Sequence, residues 1–192
     1  MLKDLSWILV SAALVNNFTL TLFLGLCSFL GVTGKVSTAL RMGAADTFVL
    51  VLTSVAAWFL NRFVLGYAPY LRIIAFIVVI AALVQIVEMF VKKVSPTLFR
   101  ELGIYLPLIT TNCAILGLAL FQTNRGYNFI QGVAFALGAG LGLTLALTLM
   151  GSIRERVELS DSPIFARSMG IVLIIAGCIS LAFMGFGGLF SS

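Results

Sequence analysis

Apolar positions in this chain run without interruption for about the thickness of a bilayer, instead of recurring with the period of a soluble helix or strand. Six such runs are separated by short stretches that carry most of the charged residues and prolines. A hydrocarbon core of about 30 Å needs roughly 20 apolar residues per helix. The pattern therefore predicts an all-α integral membrane protein with six transmembrane helices, near residues 5–31, 43–60, 73–91, 102–121, 130–150 and 168–190.

Composition supports this class and excludes others. Hydrophobic residues make up 61% of the 192 residues and charged residues only 10%, with a mean hydropathy of +1.15. Soluble domains carry roughly a quarter of their residues as charged side chains, so a soluble enzyme is excluded. The net charge of +5 comes from Lys and Arg scattered singly, without the basic stripe of a nucleic-acid-binding surface. The first apolar run is interpreted as a membrane helix, because it is too long for a cleaved signal peptide.

The distribution of basic residues predicts the orientation of the chain. Eight of the twelve Lys and Arg residues fall in one set of alternating loops and four in the other (Lys35, Arg41, Lys92, Lys93, Arg100, Arg154, Arg156 and Arg167 against Lys3, Arg62, Arg72 and Arg125). Cytoplasmic loops of membrane proteins carry the excess of basic residues. Both termini are therefore expected on the side away from the cytoplasm.

The two halves of the chain resemble each other. At an offset of 95 positions the second and third predicted helices of each half match, as in Gly43 with Gly138 and Thr53 with Thr148. At an offset of 86 the first predicted helices match, and Cys27 pairs with Cys113. We therefore predict a single membrane domain built from two repeats, about 1–97 and 98–192.

A repeat of three helices must be inverted, because an odd number of crossings makes the second copy enter the membrane from the opposite side. In such proteins, equivalent positions meet near the midplane, where broken helices often form the functional site. The first helix of each repeat contains residues that permit a break: Gly25 and Gly31 in one, Pro107 and Gly117 in the other. The sequence predicts two inverted three-helix repeats with a broken first helix in each.

Polar and small residues within the apolar runs predict specific contacts. Asn16, Asn17 and the stretch 110–112 lie in the two breakable helices, and their side chains can satisfy freed backbone groups. Gly138 and Gly142 form a small-xxx-small face for close helix packing.

The cysteines are the candidate functional residues, and three interpretations of Cys27 and Cys113 remain open. They are two buried packing residues, a disulfide, or part of a metal site. An iron–sulfur cluster takes four protein ligands, so two matched cysteines would require a second chain to donate the other two. Cys178 lies opposite Leu83 in the repeat and is predicted to be a core residue.

Three charged positions in or near the spans have a functional and a structural interpretation. Intramembrane Asp46 and Glu88 are candidates for an ion path. The simpler prediction places both near helix ends, where they pair with Arg41 and Lys92 or reach the interface. Arg154–Arg156 is predicted to lie in a polar cytoplasmic loop, where it serves as a basic anchor or, alternatively, docks a soluble protein of the same complex.

Several stretches resemble the RnfA/NqrE family of membrane proteins over essentially the whole chain: Leu14–Thr19, Phe23–Cys27, Leu106–Ala114, Gly151–Arg156 and Leu181–Gly185. The Val15–Phe18 stretch and the short loop around residues 62–70 favour the Rnf branch, whose complex couples electron transfer between ferredoxin and NAD to ion movement.

The resemblance implies a cofactor and partners. It implies a 2Fe-2S cluster with two ligands from this chain, Cys27 and Cys113, and two from a homologous, oppositely oriented RnfE-like subunit in the bacterial inner membrane. Flavin and iron–sulfur subunits would complete the complex. This chain has no Gly-rich dinucleotide fingerprint after a strand, so we expect no flavin here. Alternatives are an NqrE-like subunit of a sodium-pumping quinone reductase, a small inverted-repeat transporter without cofactor, and a purely structural subunit.

Overall fold

The computed structural model describes residues 2–15, 17–32, 34–63, 69–94, 106–159 and 169–187. In that part of the chain all regular structure is helical, as predicted. The α-helices are α1 (Leu2–Val10, continued by a π-helical turn Ser11–Val15), α2 (Phe18–Thr21), α3 (Leu26–Val32), α4 (Val36–Phe63), α5 (Arg72–Val94), α6 (Leu106–Thr110), α7 (Cys113–Asn124), α8 (Phe129–Leu159) and α9 (Met169–Gly187).

Three helices within the described segments are long and apolar enough to cross a membrane: Val36–Phe63, Arg72–Phe90 and Phe129–Val157. The segments Leu5–Thr21 and Leu26–Val32 add a fourth span if they are counted together, although they are bent by 80° at the break between them. The apolar part of α9, Gly170–Gly185, is shorter. The described helices therefore account for three or four spans by length and composition, where the sequence predicts six.

The long helices α4 and α8 form the centre of the fold and run antiparallel. Gly43 faces Thr144, and Gly140 faces Thr47, so the numbering rises along one helix as it falls along the other. The hydroxyls of Thr47 and Thr144 lie 3.4 Å apart at this crossing. Each hydroxyl also donates to the carbonyl four residues earlier in its own helix. The absence of side chains on the two glycines lets the helices approach closely.

The first helix packs on the glycines of α8. A Cβ atom placed on Gly138 would lie 2.5 Å from the carbonyl oxygen of Leu9, and one on Gly142 would lie 2.7 Å from that of Ala13. Only glycine allows this approach of two backbones. The predicted small-xxx-small packing face of Gly138 and Gly142 is confirmed.

Two helix boundaries differ from the sequence prediction. Helix α4 begins at Val36, seven residues before the predicted start at residue 43. Helix α8 continues to Leu159, so Arg154–Arg156 lies in a helix and the prediction of a loop there is wrong. The Arg154 guanidinium donates a hydrogen bond of 3.2 Å to the carbonyl oxygen of Leu30, near the end of α3. Charged side chains were used as end markers, but long basic side chains are accommodated at the ends of apolar helices.

The helices α5 and α9 lie at the periphery. On α5 one face is buried, with Phe76, Ile80 and Val84, while most of its other apolar side chains are exposed. This is the pattern expected of a helix that contacts lipid or another protein chain. Cys178 of α9 is exposed, so its prediction as a core residue is wrong. A uniformly apolar helix gives no periodic signal that separates its buried from its outward face.

Candidate functional site

The first break lies between α2 and α3. Phe23 and Gly25 adopt positive φ angles of 54° and 87°, which turn the chain out of the helical path. Asn17 holds the entry to this segment: its side-chain amide donates 2.8 Å to the Gly142 carbonyl, and its oxygen accepts from the Thr19 backbone amide at 3.1 Å. The predicted role of Asn17 in satisfying freed backbone groups is confirmed, whereas Asn16 lies outside the described residues.

The second break lies between α6 and α7, at Thr111 and Asn112. Asn112 is the N-cap of α7, and its side-chain oxygen accepts from the Ala114 backbone amide at 3.0 Å. The Thr111 hydroxyl donates to the Pro107 carbonyl at 2.9 Å. Both are predicted polar residues of the break, and both serve the freed backbone. Each of the two helices predicted to be broken is therefore interrupted.

The two breaks bring Cys27 and Cys113 together. Cys27 is the second residue of α3 and Cys113 is the first residue of α7. The thiols are close enough to interact electrostatically, and the Cys27 sulfur is within reach of the backbone amides of Ser28 and Cys113. The Gly25 backbone amide donates 2.8 Å to the Cys113 sulfur. The equivalence of these cysteines in the repeat thus corresponds to proximity in space.

Both thiols are exposed on the surface of this chain. Within the described segments no group of three or more His, Cys, Asp or Glu side chains is arranged to hold a metal ion. What this chain offers is therefore a pair of soft sulfur ligands that open outward, with backbone N–H groups directed at the sulfur atoms. Such N–H groups stabilise thiolate charge, and hydrogen bonds to sulfur tune iron–sulfur centres.

Asp46 does not lie near a helix end, as the sequence suggested. Because α4 starts at Val36, Asp46 sits almost three turns into the helix, and its side chain is 0% exposed. Neither carboxylate oxygen accepts a hydrogen bond within the described chain. The Asn112 side chain is the polar group that acts on it. The prediction of an interfacial Asp46 paired with Arg41 is wrong, and Arg41 is exposed on the other side of the helix.

Glu88 behaves more nearly as predicted. It lies in the last two turns of α5 and is half-buried, and the helix continues to Lys92 and Lys93. Its pairing with Lys92 stays a prediction.

Sequence reasoning did not single out Ser180, whose hydroxyl donates to the Leu20 carbonyl in α2. That carbonyl is near the end of α2, where a helix has unpaired acceptors. The signal was available, because Ser180 is a polar residue inside the strongly apolar run of α9 and such residues often make hydrogen bonds between helices. Gln122 was missed in the same way: its amide donates 3.1 Å to the Ser54 carbonyl in α4.

Broken apolar helices that present two thiols define a class, namely polytopic membrane proteins with a thiol site at a helix break. Comparison with known proteins is more specific. The family described as "Rnf-Nqr subunit, membrane protein" matches residues 5–190, and this chain belongs to that family. It is 55% identical over 190 residues to a protein of the ion-translocating oxidoreductase complex of Syntrophotalea carbinolica, covering 98% of both chains. It is 52% identical over 191 residues to the protein of the same name from Edwardsiella ictaluri, again covering 98% of both.

Proposed function

We propose that this chain is a membrane subunit of an Rnf-type, ion-translocating oxidoreductase complex, and that it passes electrons through an iron–sulfur site at Cys27 and Cys113. The observation that carries the proposal is the meeting of these two exposed thiols at the breaks of two different helices. Family membership and the names of the two relatives support the complex to which the chain would belong.

The residues present fit a 2Fe-2S cluster in their donor chemistry. Cysteine thiolates are the usual ligands, and both sulfur atoms receive or approach backbone N–H groups. When bound, the cluster would supply a one-electron redox centre within the membrane. Cys27 and Cys113 would hold its iron, while the Gly25 amide would stabilise negative charge on the Cys113 sulfur.

The ligand count requires a partner. Such a cluster takes four cysteines, and this chain brings two together, so two more must come from another chain. The exposure of both thiols leaves them open to that chain. We identify the partner as a homologous, oppositely oriented protein of the RnfE type, with soluble or membrane-attached flavin and iron–sulfur subunits completing the electron path.

Six crossings in two inverted repeats are the topology we propose. The offset of 95 carries Val36–Phe63 onto residues 131–158, within two residues of α8 (Phe129–Leu159) at each end. It carries α5 onto residues 167–189, close to α9 (Met169–Gly187). The antiparallel packing of α4 and α8 also supports inversion, because equivalent helices of a directly repeated unit would run parallel.

We place the protein in the bacterial inner membrane with both termini on the periplasmic side. The excess of basic residues in one set of loops supports this orientation. Arg154 supports it locally, since it lies near the end of α8 on the predicted cytoplasmic side and binds the end of α3.

The test is the iron and acid-labile sulfide content of the complex, purified anaerobically, with electron paramagnetic resonance of the dithionite-reduced sample. About two irons and two sulfides are expected at this site, in addition to those of other subunits. Cys113→Ser and Cys27→Ser should each remove them, whereas Cys178→Ser, a matched change at an exposed cysteine outside the site, should not. Equal iron in all four proteins would refute the cluster and favour a cofactor-free transporter or a scaffold.

A further inference from the structure

Asp46 is a fully buried acidic side chain that the proposed electron relay does not use. It lies ten residues, or about 15 Å, from the beginning of α4, and both of its carboxylate oxygens lack a hydrogen-bond donor within the described chain. An unpaired carboxylate in such an environment is strongly disfavoured relative to its neutral form. The side chain therefore has a strong requirement for one compensating positive charge.

Asn112 connects this carboxyl group to the thiol site. Its side-chain oxygen is occupied by the Ala114 amide, so its Nδ2 group faces the other way, toward Asp46, and has no other acceptor. Asn112 directly precedes Cys113. A Cβ atom on Gly25 would lie 3.3 Å from the Asn112 side-chain oxygen, so the backbone that donates to the Cys113 sulfur also packs on Asn112. One side chain thus lies between the buried acid and the site at which charge would change.

No other charged group in the described segments acts on the Asp46 carboxyl. The elements packed against α4 are α3, α5, α7 and α8. Their charged and titratable residues are the site cysteines or lie near helix ends: Cys27 on α3, Arg72, Glu88, Lys92 and Lys93 on α5, Cys113 on α7, and Arg154, Glu155 and Arg156 on α8. On α4 itself Arg41 and Arg62 are exposed. Compensation must therefore come from a mobile ion.

We propose that Asp46 takes up one proton as the site at Cys27 and Cys113 receives one electron, an inference that rests on the proposed function. The electron comes from the one-electron iron–sulfur donor of the complex, or from dithionite in the experiment, and the proton comes from water. The carboxylate becomes a carboxylic acid, so the total charge of this region is unchanged. Electron arrival makes the local potential more negative, and proton uptake by Asp46 cancels that change.

The surroundings favour a proton over a sodium ion. Hard cations need several oxygen ligands. The polar group turned toward Asp46 is the nitrogen donor of Asn112. The next polar side chains on the same face of α4, Thr53 and Ser54, lie seven and eight residues away, which is about 10–12 Å. A carboxyl group beside an amide donor can hold a proton but does not form an oxygen cage.

The experiment is a potentiometric titration of the cluster signal in the intact complex at a series of pH values, without sodium and with it. In the wild-type protein the midpoint potential should fall with pH by up to about 59 mV per unit, the value for one proton taken up per electron. Asp46→Asn, which resembles the protonated acid, should abolish that slope. Asp46→Thr provides a second non-titrating variant if the first assembles poorly. Glu155→Gln, which removes an exposed acid, should leave the slope unchanged.

Infrared difference spectra of the same samples give an independent readout. Reduction of the wild-type complex should produce a carboxylic-acid C=O band that shifts in deuterated water and is missing in both Asp46 variants. A cluster signal with the same pH slope and band in wild type and variants overturns the role of Asp46 but leaves the proposed function intact. A potential that depends on sodium instead of pH, through Asp46, overturns the proton. A wild-type complex without any signal from this site overturns both proposals.

Discussion

The backbone amide of Gly25 donates a hydrogen bond of 2.8 Å to the sulfur of Cys113, although 88 residues separate the two in sequence. Gly25 can do this because its φ of +87° points the amide into the second break. The two halves of the chain therefore do more than place their cysteines side by side, since the backbone of one half directly binds the thiol of the other.

The first prediction concerns this contact. Gly25→Ala should destabilise the protein by about 1–2 kcal/mol, because an L side chain is disfavoured at positive φ. The added Cβ would also press on the Asn112 side chain, at 3.3 Å. Unfolding in mixed detergent micelles measures the loss, and the iron content of the complex should fall with it. Gly34→Ala is the control, since its Cβ would meet nothing within 4 Å; an equal loss there would contradict the assignment.

A second prediction follows from the packing of the first helix on α8. Gly138→Ala should destabilise the chain, because its Cβ would lie 2.5 Å from a backbone oxygen that cannot move without shifting α1. Gly177→Ala, also within a helix but with open space around it, should be neutral or stabilise by up to about 1 kcal/mol through helix propensity. Unfolding midpoints of the two variants should therefore move in opposite directions. A shift of the same sign in both would argue against close packing at Gly138.

A third prediction concerns Asn17. Asn17→Ala removes the hydrogen bond to Gly142 and leaves two buried backbone groups without partners, at a cost of about 1–3 kcal/mol. Asn128→Ala, at an exposed position in the turn before α8, should cost little. Both can be compared by thermal unfolding of the purified chain in detergent. Similar stability of the two variants would mean that Asn17 does not hold the break.

The proposed topology gives a fourth prediction. In a chain with Cys178 replaced by Ser, Asn128→Cys should react with a membrane-impermeant thiol reagent added from the periplasmic side, and Lys35→Cys should not. Both positions are exposed, so accessibility of the side chain itself does not distinguish them. Labelling of both residues from one side would contradict the crossing of α4 through α7 between them and the proposed six-span arrangement.

The sequence predicted the site better than the depth of the residues around it. The repeat relation correctly brought Cys27 and Cys113 together, because equivalent residues of the two halves meet in space. Asp46 was misplaced because a neighbouring Arg41 was interpreted as the edge of the membrane, although a long basic side chain can reach the interface from within a helix. Its burial depends on Asn112, which comes from the other half of the chain. The outward position of Cys178 was equally invisible, since every face of α9 is apolar.

Each chain of the proposed pair carries only half of the thiols, and carries them at its surface. Neither chain by itself could then retain the metal centre, so its insertion would have to accompany or follow the meeting of the two partners. A chain made in excess would expose a reactive dithiol and remain incomplete, which gives the cell a chemical criterion for recognising an unassembled copy. The geometry of two helix breaks thereby ties the maturation of the complex to its stoichiometry.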